Sequence, residues 1–182
     1  MLFAPDTEVA LRSVVNLINT AANGEDSLAT VEDLDAFLDA EGFSGSRTRT
    51  AAELRSVKRL RGELAALWSA DEDTAAKAIN KLLADAKALP QLVKHDQWDW
   101  HLHATTPEAP LADRMGTEAA MAIVDVIRSK EMERMRLCAA EDCDAVVLDL
   151  SRNRSKLYCD TGNCANRTHV AAYRARKAAE GD

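Results

Sequence analysis

The sequence predicts a mainly α fold with a small β-hairpin, an α+β architecture in which a helical N-terminal domain precedes a compact cysteine-rich module. Apolar residues make up 47% of the 182 residues and aromatic residues only 4%, a composition that favours helices over sheets. Apolar side chains recur at helical spacing through most of the first 136 residues, and the four cysteines follow within residues 138–164. We therefore expect two domains, residues 1–136 and residues 137–182.

Two helices are predicted before residue 43. The first ends at Asn23-Gly24, a pair typical of helix stops. The second begins after Thr30, whose hydroxyl can cap it, and ends at Gly42. Their apolar faces are formed by Leu11, Val14, Val15 and Ile18 in the first helix and by Leu34, Phe37 and Leu38 in the second.

Two more helices follow the polar loop SGSRTRT. The third carries the longest apolar stripe of the N-terminal half. The fourth begins near Asp73 and ends near Leu89, because Pro90 disfavours helical geometry in the residue before it. The apolar residues are Leu54, Val57, Leu60, Leu64, Leu67 and Trp68 in the third helix and Ala76, Ile79, Leu82, Leu83 and Ala86 in the fourth.

The apolar period changes after Pro90. Apolar and polar residues alternate over residues 98–103, which predicts a β-hairpin that turns near Asp96-Gln97. We interpret His101 and His103 as part of a polar outer face, opposite the tryptophans of the same strand; the alternative is a metal site.

A fifth helix is predicted after the linker TTPEAP, from about Leu111 to Arg136. The cysteine module then follows the end of this helix directly. The residues expected to face the core are Met115, Ala119, Ala122, Ile123, Val126 and Ile127.

Charge is distributed unevenly along the chain, whose formal net charge is −7. Residues 1–129 carry 13 Lys/Arg against 21 Asp/Glu, whereas residues 145–178 carry seven basic and two acidic residues. A local patch rather than the total charge attracts phosphates, so the C-terminal segment is the candidate for contact with nucleic acid. No apolar run is long enough to span a bilayer, and the start lacks the pattern of a signal peptide, which predicts a cytoplasmic protein.

The cysteines have the pattern C-x4-C-x15-C-x4-C. Two close pairs separated by a short excursion can supply the four ligands of one structural Zn²⁺ ion, with no coordination position left open for catalysis. The excursion predicts a hairpin of strands VVLDL and KLYC around the turn SRNRS, and the last cysteine opens a helix. A knuckle, a hairpin and a helix in this order resemble a treble-clef zinc finger. The predicted zinc ligands are Cys138, Cys143, Cys159 and Cys164.

Four cysteines can also serve functions other than zinc binding. Two disulfides are disfavoured in the cytoplasm, and a redox dithiol usually has a C-x-x-C pair. An iron–sulfur cluster also takes four thiolates. A thiol sensor that releases zinc on oxidation is a further alternative.

The predicted C-terminal helix has an alanine face and a basic face. We expect the alanine face, formed by Thr168, Ala171, Ala172, Ala175 and Ala179, to pack against the knuckle and hairpin. The basic face, together with the preceding turn, is a candidate nucleic-acid-binding surface because arginine forks suit phosphates and guanine edges. Its predicted contact residues are Arg152, Arg154, Lys156, Asn166, Arg167, Arg174 and Lys177.

Two alternatives apply to the basic face. Basic residues near the end of a helix also complement the helix dipole on a merely solvated surface. The same face could instead dock on an acidic partner, which would make the finger a zinc-stabilised protein-interaction or assembly module.

The cysteine segment resembles the CGNR-type zinc finger, in which a C-x4-C knuckle precedes D-x-S-R-N-x-S and C-G-N-R. The upstream region resembles the ABATE domain in VNLINT, VEDLDAFLDAEG, AAELRSVKRLRGEL and LVKHDQWDWHLH. The resemblance implies a bacterial stress-induced transcription regulator whose finger binds double-stranded DNA. The matching finger residues are Asp149, Ser151, Arg152, Asn153, Ser155, Cys164, Asn166 and Arg167.

Two features depart from the family pattern. Ala165 replaces the glycine of C-G-N-R, and alanine is compatible with a helical first turn. Val147 and Leu148 stand where the family usually has an aromatic residue, which argues against base stacking at that point.

Asn19, Thr20 and Arg55 match family positions and are candidates for a small-molecule effector site in the N-terminal domain. The alternative is that these side chains cap helices or pair internally. An isolated finger reads few bases, which favours a homodimer. We find no nucleophile–base pair, phosphate-cradling glycine loop or carboxylate dyad in the sequence, and we therefore do not expect an enzyme.

Overall fold

A computed structural model describes residues 2–95 and 98–179 of the chain. Two short 3-10 turns, Ala22–Gly24 and Met132–Arg134, interrupt the connections between the regular elements. Among the described residues, no helix is both long enough and apolar enough to cross a lipid bilayer. The regular elements are α1 (Pro5–Asn19), α2 (Val31–Ala40), α3 (Ala51–Leu67), α4 (Glu72–Asp85), β1 (Gln91–His95), β2 (Trp98–His103), α5 (Leu111–Arg128), β3 (Met135–Leu137), β4 (Val146–Leu148) and α6 (Cys164–Ala179).

Local signals define the ends of the first helices. Thr30 caps α2 in a capping box: its Oγ1 accepts from the Asp33 backbone N–H at 3.1 Å, and its own N–H donates to Asp33 Oδ2 at 2.8 Å. Asn23 and Gly42, with φ angles of 60° and 72°, adopt the left-handed backbone that stops a helix. The predicted stop at Gly42 and the predicted cap at Thr30 are confirmed, whereas α1 ends at Asn19, before the predicted stop at Asn23-Gly24.

The core lies between α1, α3 and α5. Leu11, Leu64 and Ile123, one from each helix, are fully buried in it. Gly116 allows α3 and α5 to approach closely, because a Cβ atom there would lie 3.1 Å from Leu60 Cδ1. The predicted apolar faces of these three helices are therefore the packed faces.

Buried Arg114 ties a loop and a linker to α5. Its Nε donates to the Ala109 carbonyl at 3.1 Å, and its terminal nitrogens donate to the carbonyls of Ser44 and Ser46. Gly45 lies over this guanidinium with a φ of 86°, and a Cβ there would come within 2.6 Å of Arg114 Nη1. The loop after α2 is thus fixed to the helix at the centre of the core.

Two later helices also end earlier than predicted. Helix α4 ends at Asp85 rather than near Leu89, and α5 ends at Arg128 rather than at Arg136. In both cases a lysine with positive φ follows the last turn: Lys87 at 50° and Lys130 at 57°. Lysine carries no sequence signal for this conformation, so the apolar period alone predicted helices that were too long.

The hairpin β1–β2 is antiparallel and pairs Leu92 with Leu102. Its turn at Asp96-Gln97 and the side chain of Trp98 lie outside the described residues. Trp100 is 67% exposed, whereas His101 and His103 are partly buried and line a cavity. The interpretation of the histidines as an outer face is therefore wrong: the hairpin lies with its histidine face toward the helical body.

The second hairpin pairs β3 with β4, Met135 opposite Leu148 and Leu137 opposite Val146. The α+β class, with two small antiparallel hairpins, is confirmed. The partner of β4 differs from the prediction, because residues 156–159 form no strand and β3 precedes the first cysteine. The domain boundary that the sequence predicts after residue 136 falls inside β3.

Candidate metal centre and basic surface

Four segments that meet at one point supply the cysteines. Cys138 follows β3, Cys143 precedes β4, Cys159 lies in the loop before α6, and Cys164 is the first residue of α6. Their Sγ atoms all lie within 4.8 Å of one another, and Cys143 is the only one of the four that is not buried. The strand pairing of β3 with β4 brings the first two ligands together.

The sulfur separations fit one tetrahedral zinc ion. Zinc–sulfur bonds of about 2.3 Å place neighbouring sulfurs about 3.8 Å apart. The Sγ atom of Cys159 lies 3.7 Å from that of Cys143 and 3.6 Å from that of Cys164. A disulfide needs about 2.05 Å, and all four cysteines are free thiols. The residues present therefore form a site for one structural zinc ion.

Three of the cysteine sulfur atoms accept hydrogen bonds, and such donors stabilise the thiolate form of cysteine. Cys159 N donates to Cys138 Sγ at 3.4 Å, Thr161 Oγ1 to Cys159 Sγ at 3.3 Å, and an Arg167 terminal nitrogen to Cys164 Sγ at 3.3 Å. Although burial opposes ionisation, donors from Thr161 and the Gly162 backbone lower the pKa of the Cys159 thiol to about 6. Burial raises the pKa of Cys143 to about 12, so its thiolate requires a nearby cation.

Gly162 makes room for the sulfur cluster. A Cβ atom at this position would lie 3.0 Å from Cys164 Sγ and 3.8 Å from Cys159 Sγ. Ala165, by contrast, is exposed in the first turn of α6. Alanine therefore fits at the position where the resemblance expects glycine.

The segment D-x-S-R-N-x-S forms a turn built on one buried carboxylate. Asp149 is fully buried; its Oδ1 accepts from the backbone N–H of Ser151 at 2.9 Å, and its Oδ2 accepts from that of Lys156 at 3.0 Å. Although burial opposes it, the hydrogen bond from the Ser151 hydroxyl, these two backbone bonds and the nearby Arg136 guanidinium lower the pKa of Asp149. The closed turn leaves Arg152 exposed at its tip.

A buried arginine anchors this turn from the other side. Arg134 is 4% exposed, and its Nη1 donates to the carbonyls of Asp149 at 2.8 Å and Ser151 at 2.9 Å. Its Nε donates to Glu131 Oε2 at 2.6 Å. The N-terminal side of the turn is therefore fixed to Arg134, a buried residue.

Side chains of the N-terminal domain complete the hydrogen bonding of β4. The Asn19 amide donates to the Val146 carbonyl at 3.0 Å and accepts from the Val146 N–H at 2.8 Å. Trp68 Nε1 donates to the Val147 carbonyl at 3.1 Å. Val147 and Leu148 are both buried and pack in the protein interior.

Three of the predicted nucleic-acid contacts are engaged in ion pairs. Arg154 pairs with Glu131 and Glu133, and Lys156 pairs with Asp160 at 2.5 Å. Arg167 pairs with Asp142 at 2.6 Å in addition to its bond to Cys164. These partners lie outside the basic helix face, so its spacing gave no indication of them.

The remaining predicted contacts point to solvent. Arg152, Asn166, Arg174 and Lys177 are exposed, and no side-chain partner of theirs occurs in the described part of the chain. Arg176 has the same character, although the predicted set omitted it. We call these four exposed cations, which have no side-chain partner among residues 2–95 and 98–179, the free basic surface: Arg152, Arg174, Arg176 and Lys177.

The expected packing of the alanine face is wrong. Its four alanines are exposed, and Cys164 is the only buried residue within the described span of α6. Val170 and Tyr173 are also exposed, at 39% and 59%. The helix is therefore held at its first turn and projects from the finger.

The candidate effector residues do not lie together. Asn19 and Thr20 line a polar cavity of about 420 Å³ between the N-terminal domain and the finger, whereas Arg55 is exposed on α3 and is not part of its lining. Thr20 Oγ1 donates to the Leu17 carbonyl at 2.6 Å and accepts from Arg61 at 2.9 Å. Both Asn19 and Thr20 thus have internal partners, and ligand binding there stays a prediction.

Comparison with protein families gives two matches. Residues 11–130 match ABATE, described as "Putative stress-induced transcription regulator", and residues 134–177 match the CGNR zinc finger. The order of the two matches is the order predicted from the sequence. A comparison with curated proteins found no match.

Proposed function

The chain belongs to the ABATE family of transcription regulators and carries a CGNR zinc finger, and on this premise we propose that it is a zinc-dependent regulator that binds double-stranded DNA. The finger is the proposed DNA-binding part. The four cysteines would hold Zn²⁺, whose chemistry is that of a structural cross-link, because four thiolates fill its coordination sphere.

The observation that carries this proposal is the projection of α6 from the metal centre. An α-helix of 16 residues is about 24 Å long, and the major groove of B-DNA, about 12 Å wide, accepts one helix. The first turn of α6 is fixed by Cys164, His169 contacts Tyr158, and residues 169–179 are exposed. A helix presented in this way can enter a groove without displacing other parts of the protein.

Charge supports the same surface. The free basic surface includes Arg152 on the turn and Arg174, Arg176 and Lys177 near the end of α6. Exposed cations with no partner in the described part of the chain are available to phosphates, and Asn166 offers an amide that can bond an adenine edge. We assign Arg154, Lys156 and Arg167 a structural role instead, since each is already paired.

The test removes two free cations and measures DNA affinity over a salt series. We expect Arg174→Ala/Lys177→Ala to weaken binding to duplex DNA and to make the slope of log affinity against log salt less steep by roughly two, about 0.9 for each lost phosphate contact. Fluorescence anisotropy with DNA selected from a random pool measures both quantities.

The matched control is Arg12→Ala/Lys77→Ala, which removes two exposed cations from the N-terminal domain. We expect this variant to retain the salt slope of the wild type. Equal slopes for wild type and Arg174→Ala/Lys177→Ala would contradict the assignment of this face to DNA.

A second candidate function, docking on an acidic protein partner, is favoured by one observation. Exposed Val170 and Tyr173 lie among the cations of α6, and interfaces between proteins are enriched in aromatic residues and arginine. A sequence-specific gel shift would exclude an interaction-only role. Capture of an acidic partner that depends on Tyr173, together with no DNA binding, would favour it.

A further inference from the structure

A cavity of about 510 Å³ lies in the N-terminal domain and is lined entirely by residues between Asp6 and Arg128. It is bounded by α1, α5, β2 and the loop after α2. Its volume falls within the range of small-molecule sites, roughly 300–1,000 Å³. It is a different cavity from the one lined by Asn19 and Thr20.

Its walls are mainly apolar. Helices α1 and α5 contribute Leu17, Met115 and Ala119, and Phe43 and Leu83 come from the loop after α2 and from α4. Leu17, Met115 and Ala119 are buried. A ligand with an apolar body could therefore replace water along most of this surface.

Glu118 on α5 places a carboxylate in this lining. It is partly buried, and it has no hydrogen-bond or ion-pair partner among residues 2–95 and 98–179. Two other acids of the lining have partners: Asp125 accepts from Thr7 Oγ1 at 2.9 Å, and Glu41 accepts from Asn16 Nδ2 at 2.7 Å. Glu118 and Asp6 are thus the acids of the wall without a bonded partner among the described residues, and Glu118 lies beside the buried residues Met115 and Ala119 of α5.

The basic residues that line the cavity do not compensate the negative charge of Glu118. Arg128 lines the cavity with a side chain that is 78% exposed, 3.8 Å from Asp125. The Nε2 atoms of His101 and His103 lie 2.9 Å apart, so one ring donates a hydrogen bond to the other. Asp6 adds a further carboxylate to the same lining.

We propose that this cavity binds a small ligand that combines an apolar body with one protonated amine, which pairs with the Glu118 carboxylate. Such a cation supplies the bonded partner that Glu118 lacks, while the apolar body covers Met115, Ala119 and Leu83. Burial raises the pKa of Glu118 to about 7, against the attraction of Arg114, as expected for a carboxylate without a bonded cation. The proposal does not depend on whether the finger binds DNA or protein.

The experiment compares three probes of similar size on the full, zinc-loaded chain in the absence of DNA: 2-phenylethylammonium, 2-phenylethanol and 3-phenylpropionate. Calorimetry or ligand-observed NMR at a pH above 7 gives their relative affinities. We expect the ammonium probe to bind best, by roughly tenfold or more over the alcohol, the scale of a charge-assisted hydrogen bond. Equal or tighter binding of the carboxylate probe would overturn the proposal.

Variants then test the role of Glu118. Glu118→Gln should weaken binding of the ammonium probe by roughly tenfold or more, with little change for the alcohol. The matched control, Glu63→Gln, makes the same chemical change at an exposed position on α3 and should bind like the wild type. Unchanged ammonium affinity in Glu118→Gln would also overturn the proposal. The probe comparison uses wild type only, so it decides the matter even if this variant does not fold.

Discussion

Arg167 shows how one side chain can support a metal centre from outside the ligand set. Its guanidinium pairs with Asp142 on the knuckle and donates to the sulfur of Cys164, which is fully buried. Groups that bond to metal ligands orient them and commonly affect metal affinity by about 10- to 100-fold. We therefore infer that Arg167 is a positioning residue for zinc.

We predict that Arg167→Ala loses zinc to a chelator more readily than the wild type, with an affinity lower by about tenfold or more. Competition with a chromogenic chelator measures this difference. Arg174→Ala is the matched control, because Arg174 lies on the same helix without a contact to the cluster. Equal zinc affinities for the two variants would contradict the positioning role.

Glu118 makes stability depend on pH in an unusual direction for an acid. Burial raises the pKa of this carboxyl from 4.5 to about 7, so between these values the folded protein binds more protons than the unfolded chain. The free energy of unfolding should therefore fall as pH rises from about 4.5 to 7. The stabilisation from protonated Glu118 is fully present below its pKa of 4.5 in the unfolded chain. It is lost as pH rises through about 7, the pKa of Glu118 in the folded protein.

We predict that the wild type loses up to about 3 kcal/mol of stability between pH 5 and pH 8 relative to Glu118→Gln, the scale set by 1.36 kcal/mol per pKa unit. Urea unfolding of the two proteins at both pH values measures the difference. Parallel pH profiles for wild type and Glu118→Gln would show that this carboxyl titrates normally.

Among the elements, β4 depends on groups from both parts of the chain. One side pairs with β3, and the Asn19 amide bonds both backbone groups of Val146 on the other. Trp68 adds a bond to Val147. A side-chain amide thus takes the place of a neighbouring strand at this edge.

We predict that Asn19→Ala lowers the free energy of unfolding by about 1–3 kcal/mol, because it leaves the Val146 N–H and carbonyl without their partner. The control is Asn16→Ala on the same helix, where the lost bond to Glu41 is exposed. Urea unfolding of both variants compares them. A loss no larger than that of Asn16→Ala would mean that water replaces the amide.

The sequence predicted those elements whose signals are local. The cap at Thr30 and the apolar stripe from Leu54 to Trp68 lie within single helices, and cysteine spacing alone predicted the zinc ligands. The end of α5 was missed because Lys130 turns the chain without glycine or proline. Strand pairing was missed because all three residues of β4 are apolar and buried, so their pattern does not indicate whether the partner strand comes before or after β4.

The side-chain contacts at the candidate site were not predicted because they also depend on residues far apart in sequence. Ion pairing of Arg154 and Arg167 depends on Glu131 and Asp142, which reach them only through the fold. The cavity around Glu118 likewise forms from segments far apart in sequence. The apolar periodicity of the sequence describes one helix at a time, so it does not predict contacts between distant segments.

For the molecule as a whole, the finger and the N-terminal domain share one core. Met135, Val146 and Leu148 from the finger hairpin belong to the same buried cluster as Leu11 and Ile123. The cysteines and Val147 form a smaller cluster on the other side of β4. Loss of metal should therefore affect more than the finger.

We predict that chelation of zinc unfolds the finger and also lowers the thermal midpoint of the N-terminal domain by several degrees, because a loss of about 1 kcal/mol shifts the midpoint of a domain of this size by roughly 2–8 °C. Circular dichroism melts with and without a chelator measure this shift. Restoration by added Zn²⁺ is the control. An unchanged midpoint would show that the N-terminal core is independent of the metal.

The exposed alanines of α6 have a consequence for the free protein. Alanine has the highest intrinsic helix propensity, and short helices without packing partners are only marginally stable in water. A projecting segment rich in alanine therefore keeps its helical backbone by composition rather than by contact. Because α6 is already helical in the free protein, it loses less conformational entropy when it binds a partner. The exposed alanines therefore contribute to affinity without contacting the partner.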